Sequence, residues 1–428
     1  MKTGSSLRRK VGWNALSFGY VQFVTVAVQI IQVPFFIHTW GVKLYGEWLV
    51  LTGVPQLLVV LDFGMGQAAG NRAMMRAAAG NRDGVLESLQ TAFAFTLCTA
   101  SLVMLAAILQ YPLLSWKDIL KISEIEAGTA NIVMLCMFGY LCLNLLSSTL
   151  TACFKAVDRT PLGVFLIASK RVVDILISIS VLLMGFGPSE VAASLAVGQA
   201  ISTVVIAVIL WSISPYPVLG LARATRQELS RTWRPSLASM GIPVAQAITL
   251  QGGVQAVNLF GSPALVVIYS MTRTLVRPII QAGMAVSHAM MPEVSRLYAS
   301  GDQETAVAFV RKTSRLIQTS ALLVYVCLAG VGPYVSDAWS RGSVMIPTWA
   351  FLLIGLHAVV NVFWYVPASL LMATNRHLRI GIAYSISSAA TLFTWLCLGE
   401  YVNALVAGGL LLLIPELCVA LTLKRSRS

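Results

Sequence analysis

Apolar residues occur along this chain in long runs that short polar segments separate. Each run has about 20 residues or more, which is the length that an α-helix needs to cross the hydrocarbon core of a bilayer. Twelve runs meet this description, namely Trp13–Phe36, Tyr45–Ala69, Leu86–Leu109, Thr129–Cys153, Pro161–Gly185, Val191–Trp211, Leu237–Phe260, Ala264–Met291, Thr313–Pro333, Val344–Met372, Ile380–Leu398 and Asn403–Leu423. The pattern therefore predicts an all-α integral membrane protein with twelve transmembrane helices.

The composition agrees with this prediction and excludes an ordinary soluble domain. Of the 428 residues, 57% are hydrophobic and 11% are charged, whereas about a quarter of a typical globular chain is charged. The first apolar run has no small-residue cleavage site after it, so we predict that it stays in the mature protein as a membrane helix. All seven cysteines fall within predicted helices, so no disulfide framework is expected.

No motif in the sequence indicates an enzyme or a resident cofactor. It contains no P-loop, no His-Glu-x-x-His zinc motif and no nucleophile elbow. The four histidines, His38, His288, His357 and His377, are scattered along the chain, so we predict structural or surface roles for them and no metal site. Any energy that the protein uses is then expected to come from an ion gradient or from the concentration gradient of a substrate.

Basic residues are distributed unevenly between alternate loops. Lys and Arg are concentrated before the first predicted helix, in every second loop and after the last helix, whereas the other loops contain only Lys43, Lys117, Lys121 and Arg341. This bias predicts that both termini are cytoplasmic. The formal net charge of +13 is thus explained by topology and does not indicate a nucleic-acid partner. A basic cytoplasmic face also attracts anionic membrane lipids.

The longest cytoplasmic connection divides the twelve predicted helices into two sets of six. We predict an N-terminal six-helix bundle in residues 1–211, a cytoplasmic linker in 212–236 and a C-terminal six-helix bundle in 237–428. A weak internal repeat supports this division, because a shift of 219 positions aligns residues 63–83 with residues 282–302. Transporters built from parallel repeats place their substrate site between the repeats. We therefore expect two pseudo-symmetric bundles around a central cavity.

Amide side chains line one face of the first and of the seventh predicted helix. At about 100° per residue, the polar residues of each helix fall within an arc of roughly 80° or less. They are Asn14, Gln22, Thr25, Gln29 and Gln32 in the first helix, and Gln251, Gln255 and Asn258 in the seventh. Amides both donate and accept hydrogen bonds, so two such stripes suit a hydroxyl-rich ligand in a wet cavity. The alternative is hydrogen bonding between helices inside the bundle.

Two arginines interrupt the eighth apolar run. Arg273 and Arg277 are four residues apart and therefore lie on one helical face. An arginine at the bilayer centre costs about 2.5 to 3.5 kcal/mol on insertion scales, so neither is expected to face lipid. The guanidinium group stays charged and its planar donors match phosphate and carboxylate oxygens, which predicts an anionic ligand. The alternatives are a structural ion pair with an acid on another helix, and snorkelling to the interface.

The fifth predicted helix contains two further cations, Lys170 and Arg171, and one acid, Asp174. Lys170 and Asp174 are spaced i to i+4, so they can pair on one face of the helix. This pairing would neutralise Lys170 locally. Arg171 is then the better candidate for contact with an anionic ligand, although Lys170 remains a candidate too.

Four acids lie within predicted membrane spans: Glu47, Asp62, Asp174 and Glu416. A carboxyl group in such a place can load and release a proton as access alternates between the two sides, so each is a candidate for ion coupling. For Asp62, a structural role at a helix end beside the glycines that follow it is the alternative.

Two stretches resemble a known family of transporters. Residues 45–72, beginning YGEWLVL, and residues 267–302, beginning VIYSMTR, resemble the second and eighth helices of polysaccharide transporters of the O-antigen flippase type. That family belongs to the multidrug/oligosaccharidyl-lipid/polysaccharide exporter superfamily. The matching positions are Tyr45 and Gly46, the DFGMG run, and the YSMTR run ending at Arg273. The resemblance implies a V-shaped pair of six-helix bundles in the bacterial cytoplasmic (inner) membrane.

The resemblance also implies an activity. Such proteins bind a polyprenyl-pyrophosphate-linked oligosaccharide at the cytoplasmic leaflet and release it at the outer one, and polysaccharide polymerases and glycosyltransferases are the expected partners. In that case the cationic side chains would attract the pyrophosphate or acidic sugars, and the amide stripes would hold sugar hydroxyls. The alternatives are an ion-coupled multidrug exporter of the same superfamily, and a membrane-embedded polymerase or ligase, which would need a long external loop.

Overall fold

The computed structural model of the chain describes residues 3–373 and 378–425. All regular structure in these two ranges is helical, which confirms the predicted all-α class. The helices are α1 Thr3–Leu57, α2 Met65–Ala78, α3 Arg82–Gln110, α4 Trp116–Ile119, α5 Ala127–Cys153, α6 Thr160–Leu183, α7 Pro188–Ile213, α8 Arg226–Ala247, α9 Gly253–Phe260, α10 Pro263–Ala299, α11 Gln303–Trp339, α12 Thr348–Ala373, α13 Leu378–Leu398 and α14 Ala404–Arg425. Short 3-10 turns cover Leu58–Asp62 and Gly399–Tyr401, and a π-helical segment covers Ile248–Gly252.

Within these described ranges, 9 helical segments are long and apolar enough to cross a membrane. The first of them, Gly19–Ala78, has 60 residues and contains most of the first predicted span and all of the second. If straight it would measure about 90 Å, roughly three times the thickness of the hydrocarbon core. Helix α6 falls outside the set, since it carries Lys170, Arg171 and Asp174, and the π-helical segment divides the seventh predicted span between α8 and α9. The count of twelve and the cytoplasmic termini stay predictions.

Helix α1 is broken at Gly41. The backbone there has φ 77° and ψ 171°, which are not helical angles. Glycine populates positive φ without steric cost, because it lacks a Cβ atom. The break falls between the first and second predicted spans and therefore separates them into two helices.

The chain divides into two compact units by its internal packing. Unit 1 comprises the described part of Met1–Val28 together with Val54–Ile119 and Ile125–Met240, and unit 2 comprises Gln29–Gly53, Leu120–Glu124 and the described part of Gly241–Ser428. The change from unit 1 to unit 2 at Met240 lies just after the linker 212–236. The domain boundaries drawn from the sequence stay a prediction.

Each unit has its own apolar core. In unit 1, buried side chains of α3, α5 and α7 meet the segment that follows α7, and this core includes Leu89, Leu150, Phe154, Leu210 and Val218. In unit 2, aromatic side chains of α12 and α13 pack against α14, and this core includes Trp364, Tyr365, Tyr384, Val419 and Leu423. Trp364 and Tyr384 of the second core contact the carboxylate of Glu416, which is described below.

A buried carboxylate fixes the start of α8 inside unit 1. Thr225 and Glu228 have the spacing of a helix capping box, and the Thr225 hydroxyl accepts a hydrogen bond from the Glu228 amide at 3.1 Å. The Glu228 side chain is 0% exposed and receives hydrogen bonds from Arg72 Nε at 2.9 Å, Arg76 Nη2 at 2.8 Å and Ser88 Oγ at 2.8 Å. The linker assigned from sequence to 212–236 therefore contains the first residues of an anchored helix.

Candidate functional site

Arg273, on α10, is half-buried and is held by groups that carry no negative charge. Its Nη1 donates to the carbonyl oxygen of Leu250 at 2.7 Å, and its guanidinium carbon lies 5.0 Å from the centre of the Tyr269 ring. Its Nε is buried and has no hydrogen-bond partner. Among the residues that the structure describes, no acid pairs with Arg273. The structural ion pair considered from the sequence is thus not found here.

The partners of Arg273 depend on irregular local structure. Leu250 lies in the π-helical segment Ile248–Gly252, and π-helical turns inside α-helices occur frequently at functional sites. The Tyr269 ring fits against two glycines. A Cβ atom on Gly253 would lie 2.3 Å from Tyr269 Oη, and one on Gly408 would lie 2.9 Å from Tyr269 Cε2. Both glycines are therefore needed for the ring to lie beneath Arg273.

Substitution of Gly253 tests this fit. We expect Gly253→Ala to lower the thermal unfolding temperature of the purified protein, since the added methyl group overpacks the core and such overpacking costs about 1 to 3 kcal/mol. Gly330→Ala is the matched control, because a Cβ atom on Gly330 of α11 meets nothing within 4 Å. Equal stability of the two variants would show that the Tyr269 ring does not depend on Gly253.

His357 belongs to the surroundings of Arg273, which its position in the sequence did not predict. It is buried on α12, its Nδ1 contacts the Ile354 carbonyl oxygen, and it interacts electrostatically with Arg273. Arg277, one turn after Arg273, is half-buried and is already engaged with other groups of the protein. Arg273 is therefore the better of the two candidates for an anionic ligand.

The amides of the seventh predicted helix are used for contacts within unit 2. Gln255 Nε2 donates to the Val50 carbonyl at 2.8 Å, Asn258 Nδ2 donates to the Leu120 carbonyl at 2.6 Å, and Gln251 is also engaged. These bonds are of the helix-to-helix kind that the sequence left open. Asn258 Oδ1 is nevertheless buried without a partner, so this amide keeps one free acceptor.

The amide stripe of the first predicted helix has a different environment. Gln29 and Gln32 are half-buried and make no hydrogen bond to the described part of the chain. Thr25 accepts a hydrogen bond from Arg171 and donates to the Val21 carbonyl. The side chain of Asn14 lies outside the described residues. A sugar-binding role for both stripes stays a prediction.

In unit 1, Lys170 and Asp174 form the pair that their spacing predicts. Lys170 Nζ lies 2.7 Å from Asp174 Oδ2 and donates to Tyr140 Oη at 2.6 Å, and Tyr140 donates to the same carboxylate oxygen at 2.9 Å. Lys170 is 8% exposed, so its charge is matched and covered. Asp174 Oδ1 remains buried without a partner.

Arg171 differs from Lys170 in its exposure and in its partners. It is exposed, and its Nη1 donates to the Thr25 hydroxyl at 2.5 Å. No carboxylate of the described residues pairs with it. Of these two cations, Arg171 is thus the one that keeps free donors, and its role in ligand binding stays a prediction.

Two of the four candidate coupling acids bind backbone groups. Glu47 is fully buried, and its Oε1 accepts hydrogen bonds from the amides of Ser123 at 2.6 Å and Glu124 at 2.8 Å. Glu47 therefore holds the loop before α5 in place. Asp62 is half-buried at the end of a 3-10 turn, interacts electrostatically with the Gly66 amide, and has its Oδ1 buried without a partner. Ion coupling by either acid stays a prediction.

Glu416 on α14 is 3% exposed and is surrounded by hydrogen-bond donors. Asn361 Nδ2 lies 3.1 Å from each carboxylate oxygen, Tyr384 Oη lies 2.7 Å from Oε1, and Trp364 Nε1 donates to Oε2. Within the described residues no cation pairs with it. A buried carboxylate without a counter-ion is an unusual and costly arrangement in a membrane protein.

The described residues contain no group of three or more His, Cys, Asp or Glu side chains that could hold a metal ion. His38 and His288 are both exposed. His377 lies outside the described residues.

No protein-family model matches the sequence, and no curated protein matches it. Solved structures do match. An inward-facing multidrug-resistance transporter of the MATE family in the MOP superfamily aligns at TM-score 0.67 and 12% identity, over 95% of this chain and 96% of that chain. An outward-facing transporter of the same description aligns at TM-score 0.63 and 13% identity, over 96% and 93%.

A MOP-superfamily transporter from Pyrococcus furiosus, whose binding pocket is described as having reversed polarity that suggests a different function, aligns at TM-score 0.68 and 13% identity, over 98% of this chain and 95% of that chain. Similarity at this level of identity shows the fold. These solved transporters belong to the superfamily that the resemblance in the sequence implied; membership of this chain in that superfamily, and in its O-antigen flippase branch, stays a prediction. The chain thus has the multi-pass membrane fold of the MATE transporters of the MOP superfamily.

Proposed function

We propose that this protein is a membrane transporter that carries an anionic cargo and that Arg273 recognises the negative charge. The observation that carries the proposal is the state of the Arg273 guanidinium. It is half-buried, it has one buried N–H without a partner, and no acid of the described residues neutralises it. A charged group in such surroundings is stabilised when an anion supplies the missing hydrogen bonds.

The proposed cargo is a polyprenyl-pyrophosphate-linked oligosaccharide. Pyrophosphate oxygens fit the donor geometry of a guanidinium group, and the sugar part needs a protein because it is too hydrated to cross the bilayer unaided. Gln29 and Gln32, which are half-buried without hydrogen bonds to described residues, are proposed to bind sugar hydroxyls. Arg171 is proposed as a second cation for phosphate or acidic sugars, and the pairing of Lys170 with Asp174 makes Lys170 a weaker candidate.

A multidrug exporter is the second candidate, and the structural comparisons support it better than they support the flippase. Two of the matching structures are described as multidrug-resistance transporters of the MATE family. The Pyrococcus furiosus transporter shows that pockets of different polarity occur within this superfamily. Arg273 argues against a cationic drug, because an unneutralised guanidinium repels it. The matching structures offer no support for a polymerase or ligase.

Binding of three probes to the full chain in lipid nanodiscs distinguishes the candidates. The probes are a polyprenyl pyrophosphate, the matching polyprenyl alcohol without phosphate, and ethidium as a lipophilic cation. We expect the pyrophosphate to bind with an affinity that falls as salt concentration rises, and we expect neither the alcohol nor ethidium to bind comparably. Saturable binding of ethidium without binding of the pyrophosphate would overturn the proposal in favour of the exporter.

A further inference from the structure

The donors around Glu416 differ in what they can do when a proton arrives. The side-chain nitrogens of Asn361 and Trp364 that contact the carboxylate can only donate hydrogen bonds, whereas the Tyr384 hydroxyl can donate and accept. While Glu416 is ionised, Tyr384 donates to Oε1. Once Oε1 carries a proton, that proton needs an acceptor, and the Tyr384 oxygen is the acceptor at hydrogen-bond distance. Protonation of Glu416 must therefore reverse the direction of the Tyr384 hydrogen bond.

The second partner of Tyr384 leads to the π-helical segment. The Thr249 side chain interacts electrostatically with Tyr384, and Thr249 Oγ1 lies 3.0 Å from the Ala245 carbonyl oxygen and 3.3 Å from that of Gln246. When Tyr384 donates to Thr249 instead of to Glu416, the Thr249 hydroxyl proton is directed to the backbone carbonyls of α8. The protonation state of Glu416 thus determines which hydrogen bonds Thr249 makes in the π-helical segment.

The π-helical segment also holds Arg273 in place. The residue after Thr249 is Leu250, whose carbonyl oxygen accepts the 2.7 Å hydrogen bond from Arg273. The Thr249 carbonyl lies 3.5 Å from the hydroxyl of Tyr269, whose ring contacts the same guanidinium group. Glu416, Tyr384, Thr249 and Arg273 are thereby connected through consecutive contacts inside unit 2.

We propose that Glu416 and Tyr384 form a proton-responsive relay, which acts through Thr249 on the π-helical segment and so sets the affinity of Arg273 for an anion. The role of Arg273 rests on the proposed function. The sign follows from charge: a proton on Glu416 removes a negative charge from unit 2, so an anion binds more tightly to the protonated form. By linkage, the bound anion raises the affinity of Glu416 for its proton by the same factor.

Other ionisable groups are present on the helices packed around α14, and none of those described pairs with Glu416. They are Tyr269, Arg273, Arg277, His288, Glu293, Arg296 and Tyr298 on α10, His357 and Tyr365 on α12, and Arg379, Tyr384 and Cys397 on α13. Tyr384 alone among them hydrogen-bonds to the carboxylate in the described structure. The relay therefore passes through this hydroxyl, and His357, which interacts with Arg273, is to be tested separately.

The first test needs no cargo. Hydrogen exchange of the amides in 248–252 is measured on the full chain in nanodiscs at several pH values, with intrinsic rates corrected. We expect their protection to change by about 5-fold or more across the titration of Glu416 in the wild type, in line with typical coupling energies. The change should disappear in Glu416→Gln and in Tyr384→Phe. Tyr365→Phe, which alters a buried tyrosine of the same core outside the relay, should behave as the wild type.

The second test measures the affinity for a polyprenyl pyrophosphate against pH. We expect the wild type to bind more tightly at low pH, with the dependence flattened in Tyr384→Phe and Thr249→Val and retained in Thr249→Ser, which keeps the hydroxyl. Profiles of Tyr384→Phe and Thr249→Val that superimpose on the wild type in both tests would overturn the relay. Absence of pyrophosphate binding with an intact exchange response would instead overturn the proposed function and leave the relay standing.

Discussion

Arg273→Ala is expected to reduce flipping of a fluorescent polyprenyl pyrophosphate in proteoliposomes by roughly 10- to 150-fold. The variant removes hydrogen bonds between a charged donor and the phosphate, and such bonds contribute about 1.5 to 3 kcal/mol. The effect should fall on the affinity for the cargo, since the guanidinium group is proposed to bind it. Arg273→Lys should retain part of the activity, because an ammonium group keeps the charge and loses the planar fork of donors.

Two controls separate this result from misfolding. The Arg273→Ala protein should reach the membrane in normal amount and keep its unfolding temperature within a few degrees, because no described acid is left unpaired by the change. Arg315→Ala removes an exposed arginine from α11 and should leave flipping unchanged. Full activity of Arg273→Ala would remove this residue from the cargo site.

Glu228→Ala is expected to destabilise the protein by about 3 to 5 kcal/mol, which is the usual cost of removing one partner from a buried ion pair. The substitution leaves Arg72 and Arg76 without the carboxylate that both now contact at 2.8 to 3.0 Å. Glu293→Ala is the matched control, because Glu293 pairs with Arg296 on an exposed surface and should matter little. Thermal unfolding in detergent provides the measurement, and equal shifts for the two variants would contradict the account.

The same carboxylate predicts a dependence of stability on pH. Burial raises the pKa of Glu228, but the hydrogen bonds from Arg72, Ser88 and Arg76 outweigh burial and hold the pKa below its ordinary value. A depressed pKa in the folded state adds stability that is present above the unfolded pKa of about 4.3 and is lost as pH falls through the folded value. Wild-type stability should therefore decline in acid more steeply than that of Glu228→Gln. Parallel curves would show that Glu228 does not contribute.

The sequence could predict those features that depend on spacing along one helix. Lys170 and Asp174 pair because residues four apart meet on a helix surface, and the structure has this pair. The long apolar runs could be assigned to helices because the hydrophobicity of each run is a local property of the chain. Within the segment Gly19–Ala78, the non-helical backbone at Gly41 lies between the two spans that the apolar runs predicted.

Contacts between distant residues could not be predicted. The pairing of Glu228 with Arg72 joins positions 156 residues apart, and the donors of Glu416 come from two other helices. The π-helical segment at Leu250 has no signature in the sequence, yet it supplies the carbonyl that holds Arg273. The periodicity of the amide stripe in the seventh predicted helix suits both a sugar ligand and contacts within the bundle, and by itself it could not show that Gln255 and Asn258 donate to backbone carbonyls.

A structure of the protein with a polyprenyl pyrophosphate bound tests the central claim most directly. We predict a phosphate oxygen about 2.7 to 2.9 Å from a guanidinium nitrogen of Arg273, which is the usual length of such charged hydrogen bonds. A bound pyrophosphate that contacts other residues, with Arg273 still donating to the Leu250 carbonyl and to no ligand atom, would contradict the claim.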